Sequence, residues 1–350
     1  MRNLANINRA ESKKRIEFID LAKGVCILQI ILIHCGYSFE PAGLRALRMP
    51  LYFVLSGMFF KDYGGFISTV WKKTNKLIIP FLFFFLLAHC IVSFDHLMNG
   101  TLDSCPSHLS DLIYGGPYFN YPIWFLLCLF WNNVFFLTIY RATNNEILRG
   151  ILVMLIGLTG LFLIYKSILL PVQLSPALNS LPFFYFGYLL KRTSLLYPSE
   201  RKSFEWGLIV ILLGIGISLS IFFDQPYIFF FNNTIRGNLI IVYITSAAMV
   251  IGTLLLCKQI GRLPIISYIG RYSIIPLGVH CILIYYISGI VPTFPQSSLA
   301  VFVLTVAISI CLTPVFIKYF PYFTAQKDFD INAIRHKTSA IIKPSTNYRS

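Results

Sequence analysis

The chain has 350 residues, of which 56% are hydrophobic and only 12% carry a charge. This composition excludes an ordinary soluble globular domain, in which about a quarter of the residues are charged, and it predicts a protein embedded in a lipid bilayer. The net charge of +15 does not require a nucleic-acid partner, because the basic loops of a membrane protein face the cytoplasm and contact anionic lipid.

Apolar runs of membrane length recur along the chain and predict an all-α, polytopic membrane bundle of about ten transmembrane helices. The second and sixth helices are short for a full span, so counts of nine or eleven stay open. The predicted helices cover residues 18–36, 46–60, 77–95, 122–140, 149–166, 176–190, 206–223, 238–256, 272–290 and 298–317.

The basic residues predict the orientation of these helices. If both termini are cytoplasmic, 25 of the 29 Lys and Arg residues lie inside, which supports an N-in, C-in topology. The chain then divides into a cytoplasmic basic leader at 1–17, a membrane domain at 18–317 and a cytoplasmic polar tail at 318–350. Four basic residues fall outside this pattern: Arg45, Arg48, Lys166 and Arg236.

The first predicted helix contains three ionisable residues in an otherwise apolar stretch: Asp20, Lys23 and His34. Lys23 and His34 are eleven residues apart, about three turns, so they share one face at about 16 Å along the axis. Asp20 precedes Lys23 by three positions, which suits an ion pair. Such residues in a span usually mark a pathway or reaction centre. The plainer interpretation is that Lys23 reaches the headgroups and His34 the opposite interface.

Three later segments carry further candidate residues. Ser56 precedes Gly57 in the segment MPLYFVLSG, where a Ser–Gly pair can also serve helix packing. Lys73 and Lys76 lie at the cytoplasmic mouth of the third helix, where ammonium groups bind either phosphates or anionic lipid headgroups. Ser273 and His280 are two turns apart on one face. A histidine in mid-span needs a partner or a cavity.

The longest outer loop, at about 96–121, combines acids with aromatic residues and contains no Lys or Arg. Its segment 114–118 reads Tyr-Gly-Gly-Pro-Tyr. Aromatic faces with acids and amides suit a neutral sugar ring, although an interfacial aromatic belt has the same composition. The eight cysteines show neither CxxC spacing nor a grouping with histidine, so no metal site is predicted.

Taken in order, these segments resemble one family, the integral-membrane acyltransferase family 3, which acylates sugars and cell-envelope glycans. The resemblance starts with Asp20-x-x-Lys23-Gly24 and His34, similar to the family's Arg/Lys, ten residues, His signature. It extends over about 15–290. Lysine in place of the commoner arginine brings the chain closer to the fucose-4-O-acetylase-like sub-group. The remaining similar segments are MPLYFVLSG, the basic run before Pro80, Trp124-Phe125-Leu126, FFYFGYLLKR and IGRYSIIPLGVH.

The resemblance implies a bacterial inner-membrane O-acyltransferase, with acetyl-CoA as donor substrate, no metal, and a glycan or lipid-linked glycan as acceptor. The implied roles fall on the candidate residues. His34 acts as general base, or carries the acyl group in a variant of the mechanism, while His280, with Ser56 or Ser273, holds the acceptor or stabilises the oxyanion. Lys23, oriented by Asp20, would bind the CoA phosphates. Lys73 and Lys76 share this role, and Ser56 and Ser273 hold the acceptor or the oxyanion.

Other functions fit the same composition. The main alternative is a transporter or flippase for a glycolipid or small polar solute, since ten helices with a mid-span histidine also suit that class. Acylation of a non-glycan acceptor and a structural or sensory role are further alternatives. The single basic mouth and the ordered segments favour the acyltransferase.

Overall fold

The computed structural model describes residues 17–37, 41–114, 119–193, 202–292 and 297–330. Within these ranges the protein is a helix bundle, as predicted, and each of the ten predicted helices has a counterpart. In chain order the helices are α1 (Glu17–His34), α2 (Leu44–Met58), α3 (Phe66–Lys73), α4 (Ile79–Met98), α5 (Asp111–Tyr114), α6 (Trp124–Ala142), α7 (Glu146–Tyr165), α8 (Leu174–Leu190), α9 (Lys202–Phe222), α10 (Leu239–Ile260), α11 (Pro264–Arg271), α12 (Ile274–Ile290) and α13 (Ser297–Tyr319).

Six of the described helices are long and apolar enough to cross a membrane, and a seventh is added if the bent pair α11–α12 counts as one span. The chain is therefore a membrane protein with an α-helical bundle. Helices α2 and α8 are shorter, and α1 carries three charged residues in its first two turns. The number of ten spans and the N-in, C-in orientation stay predictions.

Besides the short helices α3, α5 and α11, three features of the fold were not predicted from the sequence. A π-helical turn at Thr74–Ile78 joins α3 to α4 without a break. The chain bends by 95° between α11 and α12. A two-stranded antiparallel hairpin, β1 (Tyr227–Phe229) and β2 (Thr234–Arg236), interrupts the otherwise all-α fold between α9 and α10. Strands of three residues are too short to produce the alternating pattern by which a strand is recognised.

Helix α1 packs against α2, α10, α11, α12 and α13 and so lies near the centre of the bundle. Its contact with α11 is close because each helix places a glycine at the crossing. A Cβ atom on Gly270 would lie 1.8 Å from the carbonyl oxygen of Asp20, and one on Gly24 would lie 2.0 Å from that of Ile266. This crossing fixes the helix that carries Lys23 and His34.

Candidate active site

The structure brings the two predicted histidines together across 246 positions of sequence. His34 lies at the end of α1, and His280 is fully buried in α12. The Nδ1 atom of His34 and the Nε2 atom of His280 are 2.8 Å apart, and the two rings are parallel within 3°. The predicted partner of the mid-span His280 is therefore His34.

The contact of His280 with its own helix defines which nitrogen of each neutral ring carries hydrogen. Nδ1 of His280 lies 2.8 Å from the carbonyl oxygen of Pro276, which can only accept, so this nitrogen donates. Since a neutral imidazole has one N–H, Nε2 of His280 accepts from Nδ1–H of His34. The lone pair of His34 is then on Nε2, where it can accept a proton from another molecule.

His34 lines a cavity of about 320 Å³ near the ends of α1 and α2 that are predicted to face outward, which we call the outer cavity. The ring of Tyr121 packs edge-on against His34 at a centroid distance of 4.8 Å. The other side chains in its wall are mostly aromatic or aliphatic, with two arginines. They include Arg45, Arg48, Tyr52, Trp124, Phe125, Leu277 and residues 227–231 of the hairpin.

A second cavity, of about 240 Å³, lies toward the opposite end of α1 and is called the inner cavity. Four of the predicted site residues meet in its wall: Lys23, Ser56, Lys73 and Ser273. The ammonium group of Lys23 lies 5.5 Å from the centre of the Phe59 ring, a cation–π distance. The structure thus places both serines with the lysines, whereas His34 belongs to the outer cavity.

Tyr52, Phe125 and Leu277 line both cavities, so these three side chains form the wall that the cavities share. The hydroxyl of Tyr52 donates a hydrogen bond to the backbone oxygen of Lys23 at 3.2 Å, and its ring contacts that of Phe125 at 5.3 Å. The two cavities are therefore adjacent, with Lys23 and Lys73 on one side of the shared wall and His34 on the other.

Lys72 and Lys76 form ion pairs with the segment after α13, whereas Lys73 lines the inner cavity. The segment after α13 packs on this end of the bundle, where Asp328 forms ion pairs with Lys72 and, at 3.0 Å, with Lys76. Lys76 also donates to the backbone oxygen of Ala325 at 2.6 Å. Burial of Asp328 opposes its ionisation, but the two ammonium groups outweigh burial and hold the pKa of this carboxyl below its usual range. The pairing is therefore retained at neutral pH.

Asp20 is buried in the first turns of α1, and its backbone oxygen contacts Gly270 of α11. Its predicted role in orienting Lys23 stays a prediction. The loop segment 115–118, the leader before residue 17 and the tail beyond residue 330 lie outside the described residues. The aromatic sugar site predicted on that loop is therefore not placed, except for Tyr121, which lines the outer cavity.

Cys281 adds a third potential ligand beside the histidine pair, since its sulfur and one nitrogen of each ring lie within 4.8 Å of one another. The sequence did not predict this grouping. Two nitrogens that bind one tetrahedral metal ion are about 3.3 Å apart, because each bond measures about 2.0–2.1 Å. At 2.8 Å the histidine nitrogens are instead at the separation of a hydrogen bond.

Sequence reasoning missed Arg45, Arg48 and Tyr52. The first two were visible as exceptions to the charge pattern, because they are basic residues on the predicted outer side. Tyr52 lies inside the MPLYFVLSG segment, but only the packing of α2 against α6 shows that it contacts both cavities.

Fold and site together define a helical membrane protein in which His34 of a histidine pair lines an aromatic cavity adjacent to a lysine-lined one. The profile of acyltransferase family 3, described as "Acyltransferase domain", matches residues 16–317. The chain belongs to this family and is a membrane acyltransferase. No curated protein and no solved structure matches the chain.

Proposed function

We propose that the protein is an O-acetyltransferase that transfers the acetyl group of cytoplasmic acetyl-CoA to a hydroxyl of a cell-envelope glycan. The acceptor would be O-antigen, capsule, exopolysaccharide or a lipid-linked oligosaccharide, and the protein would lie in the bacterial inner membrane. The observation that carries this proposal is the position of His34, whose Nε2 is left to accept a proton in a cavity that shares a wall with a lysine-lined cavity.

The lysines support the donor half of the proposal. Acyl-CoA carries its phosphates at one end and its thioester at the end of a long, narrow pantetheine arm. Lys23 and Lys73 would bind the phosphates as point charges at the inner cavity. The arm would then pass the side chains of Tyr52 and Phe125 and bring the thioester to His34.

His34 supports the transfer step. Its Nε2 takes the proton of the acceptor hydroxyl while the hydroxyl oxygen attacks the thioester carbon. The C–S bond then breaks, and the CoA thiolate leaves and takes the proton back from the imidazolium. A positioned base of this kind typically contributes about 10²–10⁴-fold in rate. During the step, Nε2 of His280 continues to accept from Nδ1–H of His34 and stabilises the charge on its ring.

The test uses the purified full-length protein in lipid nanodiscs with radiolabelled acetyl-CoA and glycans extracted from the native host. We expect a base-labile acetyl ester on a glycan with wild type. The His34→Gln variant should form it about 10²–10⁴-fold more slowly. His96→Gln is the matched control, because His96 contacts Thr101 and Tyr285 in the outer region, away from both cavities.

Two results contradict the proposal. A His34→Gln variant as active as wild type removes His34 as the base. Directional movement of a solute in proteoliposomes, with no covalent change in it, favours the transporter alternative. In the native host, loss of a discrete ester on gene deletion, restored by wild type and not by His34→Gln, identifies the glycan that is modified.

A further inference from the structure

We infer that the outer cavity recognises an anionic acceptor, namely a sugar that carries a phosphate or carboxylate group near the hydroxyl to be acylated. This inference rests on the proposed function, since it names the substrate class of the same site. It starts from two residues that no part of the proposed transfer step uses, Arg45 and Arg48.

The charge in the wall of the outer cavity has one sign. Arg45 and Arg48 line the cavity together with His34, and none of the lining residues in the described part of the chain is acidic. Both arginines are half-buried, whereas Lys166 and Arg236, the other basic residues predicted on the outer side, are exposed. Two of the four basic residues predicted on the outer side of the membrane thus line the cavity that contains His34.

The two arginines are held in place by neighbouring elements. They are three residues apart at the start of α2 and so lie on nearby faces of one helix turn. The guanidinium group of Arg45 lies 5.3 Å from the ring centre of Tyr227 in β1, a cation–π distance. The thiol of Cys26 in α1 donates to the backbone oxygen of Arg48 at 3.0 Å, which ties α2 to the helix that carries His34.

Guanidinium chemistry identifies the ligand class. Arginine presents a planar fork of donors that matches the oxygens of a phosphate or carboxylate, and a charge-assisted contact is about twice as strong as a neutral hydrogen bond. Tyr121 and Trp124 line the same wall, and aromatic side chains of this kind pack against the CH groups of a sugar ring. A sugar ring with an adjacent oxyanion would therefore contact both the arginines and the aromatic side chains of the wall.

The oxyanion can come from two sources, the diphosphate of a lipid carrier or the carboxylate of an acidic sugar. Three probes with one ring type distinguish them: octyl glucoside, octyl glucuronide and farnesyl diphosphoglucose. Binding is measured as the change in intrinsic tryptophan fluorescence, to which Trp124 contributes, in nanodiscs of zwitterionic lipid. We expect a Kd at least tenfold lower for one or both anionic probes than for octyl glucoside.

Substitutions of single basic residues test which charge distinguishes the anionic probes from the neutral one. Arg48→Gln should bring the Kd of the anionic probe to within about threefold of that of the neutral probe, and Arg48→Lys should keep part of the difference. Lys166→Gln is the charge control, because Lys166 is exposed outside the cavity, and it should leave the Kd ratio unchanged. If Arg48→Gln does not elute as a folded protein, Arg45→Gln replaces it.

Three results overturn the inference: similar Kd values for all three probes, no measurable binding of either anionic probe, or full charge discrimination in the Arg48→Gln variant. None of these depends on catalysis. If anionic probes bind selectively but no acetyl ester forms with His34 intact, the proposed function fails while the charge selectivity stands. If esters form on neutral glycans alone, the function stands and the anionic acceptor fails.

Discussion

At the scale of single residues, the pairing of His34 with His280 determines which atom can act as a base. Because Pro276 accepts from Nδ1 of His280, the second histidine can only accept from the first when both are neutral. His280 does not line either cavity, so we interpret it as a positioning residue for His34. The resemblance implied that His34 is the base and that His280, with Ser56 or Ser273, holds the acceptor or the oxyanion, whereas the structure places His280 against His34.

This interpretation predicts different effects for two substitutions of His280. His280→Leu removes the acceptor for Nδ1–H of His34 and should lower kcat by about 10²–10⁴-fold, while KM for acetyl-CoA stays close to wild type. His280→Gln restores an acceptor oxygen and should recover part of the loss. Steady-state kinetics of both variants, with matched protein recovery and thermal stability, check this.

A Leu variant with wild-type kcat would show that His280 does not position the base. A loss shared equally by Leu and Gln variants would indicate a packing role instead, because both substitutions alter shape whereas only Gln retains an acceptor.

The predicted lysines show where sequence reasoning stops. Lys73 and Lys76 were assigned one role because they are three residues apart at the mouth of one helix. The structure separates them: Lys73 lines the inner cavity, while Lys76 contacts Asp328 and Ala325. The π-helical turn at Thr74–Ile78 changes the local helical period, and an α-helical period therefore gives the wrong relation between their faces.

At the scale of elements, the long helices were predictable and their connections were not. The apolar runs predicted the ends of α6, α8 and α12 within two residues. The chain bends by 95° between α11 and α12, where α11 packs against the distant α1, a contact that no local pattern reveals, and the hairpin β1–β2 is too short to be recognised. Both connections position site residues, which is why the cavities themselves could not be predicted.

The crossing of α1 and α11 gives a prediction at this scale. In Gly270→Ala the new Cβ would lie 1.8 Å from the Asp20 carbonyl oxygen, so α1 or α11 must shift. We expect destabilisation of about 1–3 kcal/mol or more and loss of most acyl transfer, because α1 carries Lys23 and His34. Thermal unfolding and the acetyl-transfer assay on the same preparation measure the two effects.

Gly214→Ala is the matched control, because it lies in α9 with no heavy atom within 4 Å of the Cβ position. Alanine there should leave activity unchanged and stability unchanged or slightly higher, as in an open helix interior. Equal behaviour of the two variants would show that the α1–α11 contact is looser than the structure has it.

At the scale of the whole molecule, the two cavities lie toward opposite ends of α1 and share a wall of three side chains, which suits the proposed approach of donor and acceptor from opposite sides of the membrane. This arrangement predicts that Lys73 and Lys76 affect the donor unequally. Lys73→Gln should raise KM for acetyl-CoA about ten- to hundredfold with little change in kcat, since a hydrogen bond to a charged group contributes about 1.5–3 kcal/mol. Lys76→Gln should change it less than about twofold, because Asp328 and the Ala325 carbonyl engage its ammonium group. Initial rates at varied acetyl-CoA, with the acceptor concentration held constant, give the KM of each variant.

An equal rise in the KM of both variants would mean that the donor phosphates displace the segment carrying Asp328. No rise in either KM would place the phosphates away from the inner cavity.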